Sequence, residues 1–188
     1  MISSLRLINF KAFENQLIEF KPLTLISGIN STGKSSVLQS LLLLRQSYQQ
    51  ELLPGVGLAL NGELVTIGTA QDAFCERGVD DYIGFEVVWQ NDIKGIWYFR
   101  YDLDYQETDV LNLTSSPVDS KVYEFNLFSK EFHYLQAERI GPRSYNEMSD
   151  YQVRRLGQLG SKGEYTAHFL SVHGRRVIPN KKLGYPQA

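Results

Sequence analysis

The sequence predicts an α/β fold, on three observations: a glycine-rich loop between an apolar run and a helical pattern at residues 23–48, strand-like alternation ahead of that loop, and a strand-rich middle over about 58–127. Leu5, Leu7 and Phe10, with Arg6 and Asn9 between them, predict a half-buried strand over about residues 3–10. Residues 17–20 read as a second strand and 23–26 as a third, with Asn15 and Lys21-Pro22 as the breaks. From Lys34 the period changes. Val37, Leu38, Leu41, Leu42, Leu44 and Tyr48 recur at three- and four-residue spacing, a helix of three to four turns closed by Pro54-Gly55. Farther on, residues 83–89 and 95–101 flank the turn-rich link 90–94 as a hairpin, 122–127 and 133–137 read as further strands, and 163–172 as a short helix. Trp89, Trp97, Tyr98, Phe99 and Tyr101 fit sheet core and cross-strand pairs better than a base-stacking platform.

Composition narrows the class. With 43% hydrophobic and 21% charged residues in 188, the chain has the balance of a folded globular domain and the length to bury one core. Cys75 is the only cysteine, so no intramolecular disulfide forms, which agrees with a reducing compartment. The start lacks an uninterrupted apolar stretch and the longest apolar run, 37–44, is broken by Gln39 and Ser40, so neither export nor a membrane span is expected and the location is read as cytoplasmic. The net charge of -2 is uneven: residues 1–142 hold 11 Lys/Arg against 18 Asp/Glu, and 143–188 hold 8 against 3. The basic pairs Arg154-Arg155, Arg175-Arg176 and Lys181-Lys182 would suit an anionic partner or simply a solvated surface.

The loop Gly28-Ile29-Asn30-Ser31-Thr32-Gly33-Lys34-Ser35 fits G-x-x-x-x-G-K-[ST] without a mismatch, and its strand-then-helix context is the one that motif requires. Backbone N–H groups of such a loop curl around a β-phosphate, aided by the positive end of the helix, while Gly28 and Gly33 permit turn angles and close approach that a Cβ would obstruct. Lys34 would bridge the β- and γ-phosphates and the Ser35 hydroxyl would ligate Mg²⁺. Asn30 and Ser36 complete the candidate nucleotide contacts, although an asparagine here also serves to hold a turn by bonding its own backbone. The plain alternative is a strand-to-helix turn with an incidental lysine.

Three classes of phosphate-binding protein compete. A GTPase would carry N-K-x-D to read guanine, and Asn180-Lys-Lys-Leu183 has leucine in place of the carboxylate. Asp81-Tyr-Ile-Gly84 matches D-x-x-G but follows a polar segment instead of an apolar strand. A small-molecule kinase fits the length, yet such enzymes usually open directly on the loop strand, whereas two strands precede it here.

Residues 2–13 followed by 23–36 resemble the opening of the ABC-type ATPases of the SMC, RecF and OLD-like group, and most of all a bacterial OLD-like branch of AAA-family ATPases with members in anti-phage systems. Residues 60–68, 137–143 and 163–168 are similar to stretches of that branch in the same order. The resemblance implies a P-loop NTPase of ABC-ATPase type, a mixed sheet with an antiparallel β-subdomain, and ATP with Mg²⁺ held between two heads whose dimer closes on binding and reopens on hydrolysis. On it the whole chain, 1–188, is one partial ATPase domain: strands, loop and helix in 1–57, the β-subdomain in 58–137 and a loop-helix region in 138–188. It also implies γ-phosphate, phosphate and Mg²⁺ roles for Asn30, Lys34 and Ser35, a catalytic Gln136 that senses Mg²⁺ and the attacking water, and nucleotide or neighbour contacts for Arg139 and Arg143, for which a structural salt bridge serves equally.

No apolar strand ending in Asp-Glu, no Leu-Ser-x-Gly-like signature and no later switch histidine is found, and these belong to the C-terminal half of such heads. The chain therefore reads as half a head, expected to bind ATP and hydrolyse it poorly alone, with a homodimer mate or partner chain supplying the missing carboxylate and signature. A nucleic-acid or nuclease partner follows from the likeness only. The alternatives are a nucleotide-binding regulatory module without turnover and a small-molecule kinase.

Overall fold

In the computed structural model, which describes residues 1–138 and 140–177, the alternating segments become a single antiparallel sheet. Its strands are β1 (Ile2–Phe10), β2 (Phe13–Glu19), β3 (Gly57–Ala59), β4 (Tyr82–Trp89), β5 (Lys94–Arg100) and β6 (Val110–Ser115), in the order β2-β1-β4-β5-β6-β3. Every pairing is antiparallel. The sheet is therefore not the mixed one expected but wholly antiparallel: β1 and β2 share it with the middle strands, and β1 pairs directly with β4, Leu7 opposite Phe85.

The period of two assigns the faces. Leu5, Leu7, Phe85, Val87, Trp97 and Phe99 are fully buried on one side. The other carries a polar ladder: Arg6 donates to Asn15 (2.9 Å) and lies 3.6 Å from Glu86, which also meets Lys94 at 2.9 Å and accepts from the Tyr98 hydroxyl at 3.1 Å. Burial alone would raise the Glu86 carboxyl, but the donors Lys94 and Tyr98, with Arg6 nearby, outweigh it and hold the group below the ordinary glutamate range.

Helix α1 (Lys34–Gln49) packs on β1 and β3. Residues 40–47 are buried on every side, including polar ones, so each must find partners within the fold. Gln46 donates to the Ala59 carbonyl (2.9 Å) and accepts from the Val65 N–H (3.1 Å), and Ser47 accepts from the Ala59 N–H (2.8 Å). Arg45 donates to the carbonyls of Leu127 (2.6 Å) and Ser129 (3.0 Å), and burial pushes its guanidinium down to about 10.

The strand expected over 122–127 is instead a 3-10 turn, Ser120–Glu124, followed by further turns. Asp119 caps it through the Lys121 N–H (2.9 Å), and the stretch lies over the sheet's indoles. The Trp97 indole N–H meets the Tyr123 hydroxyl at 3.1 Å and that of Trp89 meets Asn126 at 3.2 Å. Tyr123, Phe125 and Leu127 at alternate positions mimic a strand, while satisfying two buried indoles requires the chain to turn. Of the aromatics read as core or cross-strand pairs, Trp89, Trp97 and Phe99 are fully buried and Tyr101 is buried, whereas Tyr98 lies on the polar face and pairs across strands with Tyr82.

Residues 1–129 form one compact unit, containing the short α2 (Ala70–Ala73), and the described residues from 130 onward form a second. Within the second, α3 (Thr166–His173) realises the expected short helix and packs against a π-helical turn, Tyr151–Arg155. The strand expected over 133–137 is irregular backbone there. Among the described residues, no helix is long and apolar enough to cross a membrane.

Candidate functional site

The loop 28–33 leaves the sheet region and enters α1 through Gly33, whose φ of 89° and ψ of 7° place the helix N-cap in the left-handed region. Ser31 is left-handed as well (φ 65°). A Cβ on Gly33 would stand 2.5 Å from the tip of the Phe13 ring, so glycine answers here both to the turn and to a neighbouring aromatic. Phe13 is the contact that sequence reasoning missed, because nothing in the spacing of 13 and 33 announces it.

The first turn of α1 contains no acidic residue, and no side chain caps it. The first N–H to find a helical acceptor is that of Val37, on Gly33 at 3.2 Å, so the N–H groups of Lys34, Ser35 and Ser36 have none within the helix. Together with the helix dipole they form a locus of positive potential. Lys34 adds a full charge: its ammonium bends back to donate to the Ile29 carbonyl, which Thr32 Oγ1 also engages at 2.9 Å. No carboxylate pairs with Lys34 among the described residues. The Asn30 and Ser35 side chains are exposed, and Ser36 is buried. One continuous loop therefore brings Gly28, Asn30, Lys34 and Ser35 together, and its surplus of donors suits an anion carrying several oxygens.

The run leading into the loop departs from expectation. Residues 23–26 form no strand and pair with none, and Leu23, Leu25 and Ile29 are 90%, 88% and 78% exposed. The strand expected over 23–26 is therefore absent, because nothing in unit 1 pairs with this backbone or covers its apolar side chains.

The remaining candidates lie elsewhere. Gln136 is in the second unit, half-buried and off any strand, with its backbone N–H on the Ser161 carbonyl (2.8 Å). Arg143 faces Glu147 at 3.9 Å, four residues on, the structural ion pair that its sequence allowed. Arg139 and the segment 180–183 lie outside the described residues. Asp81 and Gly84 sit at the start of β4, where the Asp81 carbonyl accepts from the Tyr101 N–H (2.7 Å) and Gly84 lies beneath the Tyr98 ring, a strand and not a phosphate-sensing loop.

Against this geometry stands one comparison with known proteins. Residues 1–86 match the model of the AAA ATPase domain. The match spans β1, β2, the loop, α1 and most of β4, so this part of the chain is similar to the N-terminal region of an AAA-type ATPase, a nucleotide-binding function. No curated protein and no solved structure matches the chain.

Proposed function

We propose that the chain binds ATP through residues 28–36 and works as the nucleotide-holding half of an ABC-type ATPase head of the SMC, RecF and OLD-like kind. The observation that carries the reading is the uncapped N-terminus of α1 joined to the Lys34 ammonium on a glycine-bounded loop. In this assignment the loop N–H groups and Lys34 hold the β- and γ-phosphates, Asn30 faces the γ-phosphate, and Ser35 offers its hydroxyl to Mg²⁺, which offsets phosphate charge. A phosphate oxygen is a stronger acceptor for the Lys34 ammonium than the Ile29 carbonyl that it meets here.

Turnover requires more than this loop. A carboxylate to orient the attacking water and a surface to cover the far side of the nucleotide come, in this proposal, from another segment or a partner chain. The uncovered Leu23 and Leu25, which border the loop, and Ile29 within it support that division, because they are apolar. Gln136 as a sensor of Mg²⁺ and water belongs to the completed head.

The test is titration of the purified chain with a fluorescent ATP analogue, with and without Mg²⁺, against Lys34→Ala and with GTP as competitor. Saturable binding that needs Mg²⁺, prefers ATP and weakens at least tenfold in Lys34→Ala is expected, with little hydrolysis. Binding indifferent to Lys34 in a folded protein would overturn the site, and robust turnover by the chain alone would overturn the half-head.

A further inference from the structure

The division into units coincides with a division of charge. Residues 1–129 hold 9 Lys/Arg against 16 Asp/Glu, a net of -7, whereas 130–188 hold 10 against 5, a net of +5. Part of the positive charge of the second unit is gathered in an open groove of about 490 Å³ lined by Lys130, Asp150, Tyr151, Arg154 and Arg155.

This groove is assembled by the fold and not by a run of basic sequence. The Gln158 side chain ties the segment carrying Lys130 to the end of the π-helical turn, donating to the carbonyls of Phe132 (3.0 Å), Lys130 (3.4 Å) and Leu156 (3.4 Å). From below, His168 fixes the start of the same turn: its Nδ1 accepts from the Ser149 N–H (3.2 Å) and its Nε2 lies 3.3 Å from Asp150 Oδ1, with the imidazole almost wholly buried. The i to i+5 bond from the Leu156 N–H to the Tyr151 carbonyl (3.0 Å) marks a turn geometry that recurs at functional sites. The one carboxylate in the groove is already engaged, Asp150 with Arg154 at 2.9 Å. Lys130 and Arg155 have no ion-pair partner among the described residues, and Tyr151 beside them is 62% exposed.

We propose that this groove binds the phosphodiester backbone of a single-stranded nucleic acid, Lys130 and Arg155 meeting phosphates and Tyr151 stacking on a base. Charge complementarity names the anion, and the exposed aromatic among the cations favours a strand with open bases over an acidic protein surface. The binding is independent of the nucleotide loop.

The test follows fluorescence anisotropy of a fluorescein-labelled dT 12-mer with the full chain over a salt series. Saturable binding is expected. Lys130→Ala/Arg155→Ala should weaken it at least tenfold and flatten the log–log salt slope by about 1.4, two phosphates at about 0.7 each. Tyr151→Ala should weaken it about tenfold with the slope kept, Tyr151→Phe should retain it, and Arg175→Ala/Arg176→Ala, a basic pair outside the groove lining, should leave it unchanged. All these positions are exposed, and circular dichroism verifies that each variant is folded. Three results would overturn the proposal: no binding by the folded chain, affinity untouched by the Lys130/Arg155 or Tyr151→Ala changes, or displacement by polyglutamate as efficient as by unlabelled dT, which would point to an acidic protein partner.

Discussion

Replacing Gly33 by alanine perturbs the loop at the position where two independent demands meet. The backbone there is left-handed, φ 89°, which costs an L-residue about 1–2 kcal/mol. The new methyl would also stand 2.5 Å from the Phe13 ring tip. That clash is the cheaper of the two, because Phe13 lies on β2, the edge strand of the sheet, and is only half-buried, so its ring can swing at a cost under about 1 kcal/mol. The sum is about 2 kcal/mol, which at a slope near 2 kcal/mol per molar urea moves the unfolding midpoint down by about 1 M. Trp89 and Trp97, the only tryptophans, are both fully buried in the first unit, so fluorescence follows the unit that contains the loop. Adding Phe13→Ala should return only the smaller, steric share, and nucleotide affinity should stay lost because the loop backbone remains displaced. A midpoint within 0.2 M of the parent would refute the reasoning, and so would full recovery in the double variant, since either denies the backbone strain.

Further outcomes separate covered from uncovered leucines and locate a pH effect. Leu43→Ala, at a fully buried position of α1, should cost about 2–5 kcal/mol, whereas Leu25→Ser, at 88% exposure, should change urea stability by less than about 0.5 kcal/mol while reducing self-association in light scattering. Because the Glu86 carboxyl is held below its ordinary value, its contribution is fully present above the unfolded-state pKa and is lost as pH falls through the lower folded value. Urea midpoints measured from pH 6 down to 3 should therefore fall less steeply in Glu86→Gln than in the parent, and parallel curves would remove Glu86 from the account.

The candidate site was legible because a phosphate loop is local. Gly28, Gly33, Lys34 and Ser35 are nearly consecutive, and their requirements, a left-handed turn, a helix N-terminus and a cation, are met within one stretch of backbone. The strands at 2–10, 82–89 and 94–100 were legible for a similar reason: alternation exposes one face and hides the other wherever a sheet forms. The three-residue β3, Gly57–Ala59, was missed because it is too short to display a period, and β6, Val110–Ser115, because only Leu111 in it is buried and polar residues make up half of it. Phe13 and the clamp of Gln158 on the Lys130 segment escaped because they join residues 20 to 28 positions apart.

What the sequence by itself determined is the loop, the helix that follows it and the faces of the main strands. Tertiary structure alone decided that β1 and β2 join the middle strands in one antiparallel sheet, that 122–127 turns to serve two indoles, and that Leu23 and Leu25 stand uncovered. The physical reason is that an apolar pattern records which side chains gain by leaving water, and only the assembled chain determines whether anything is there to receive them.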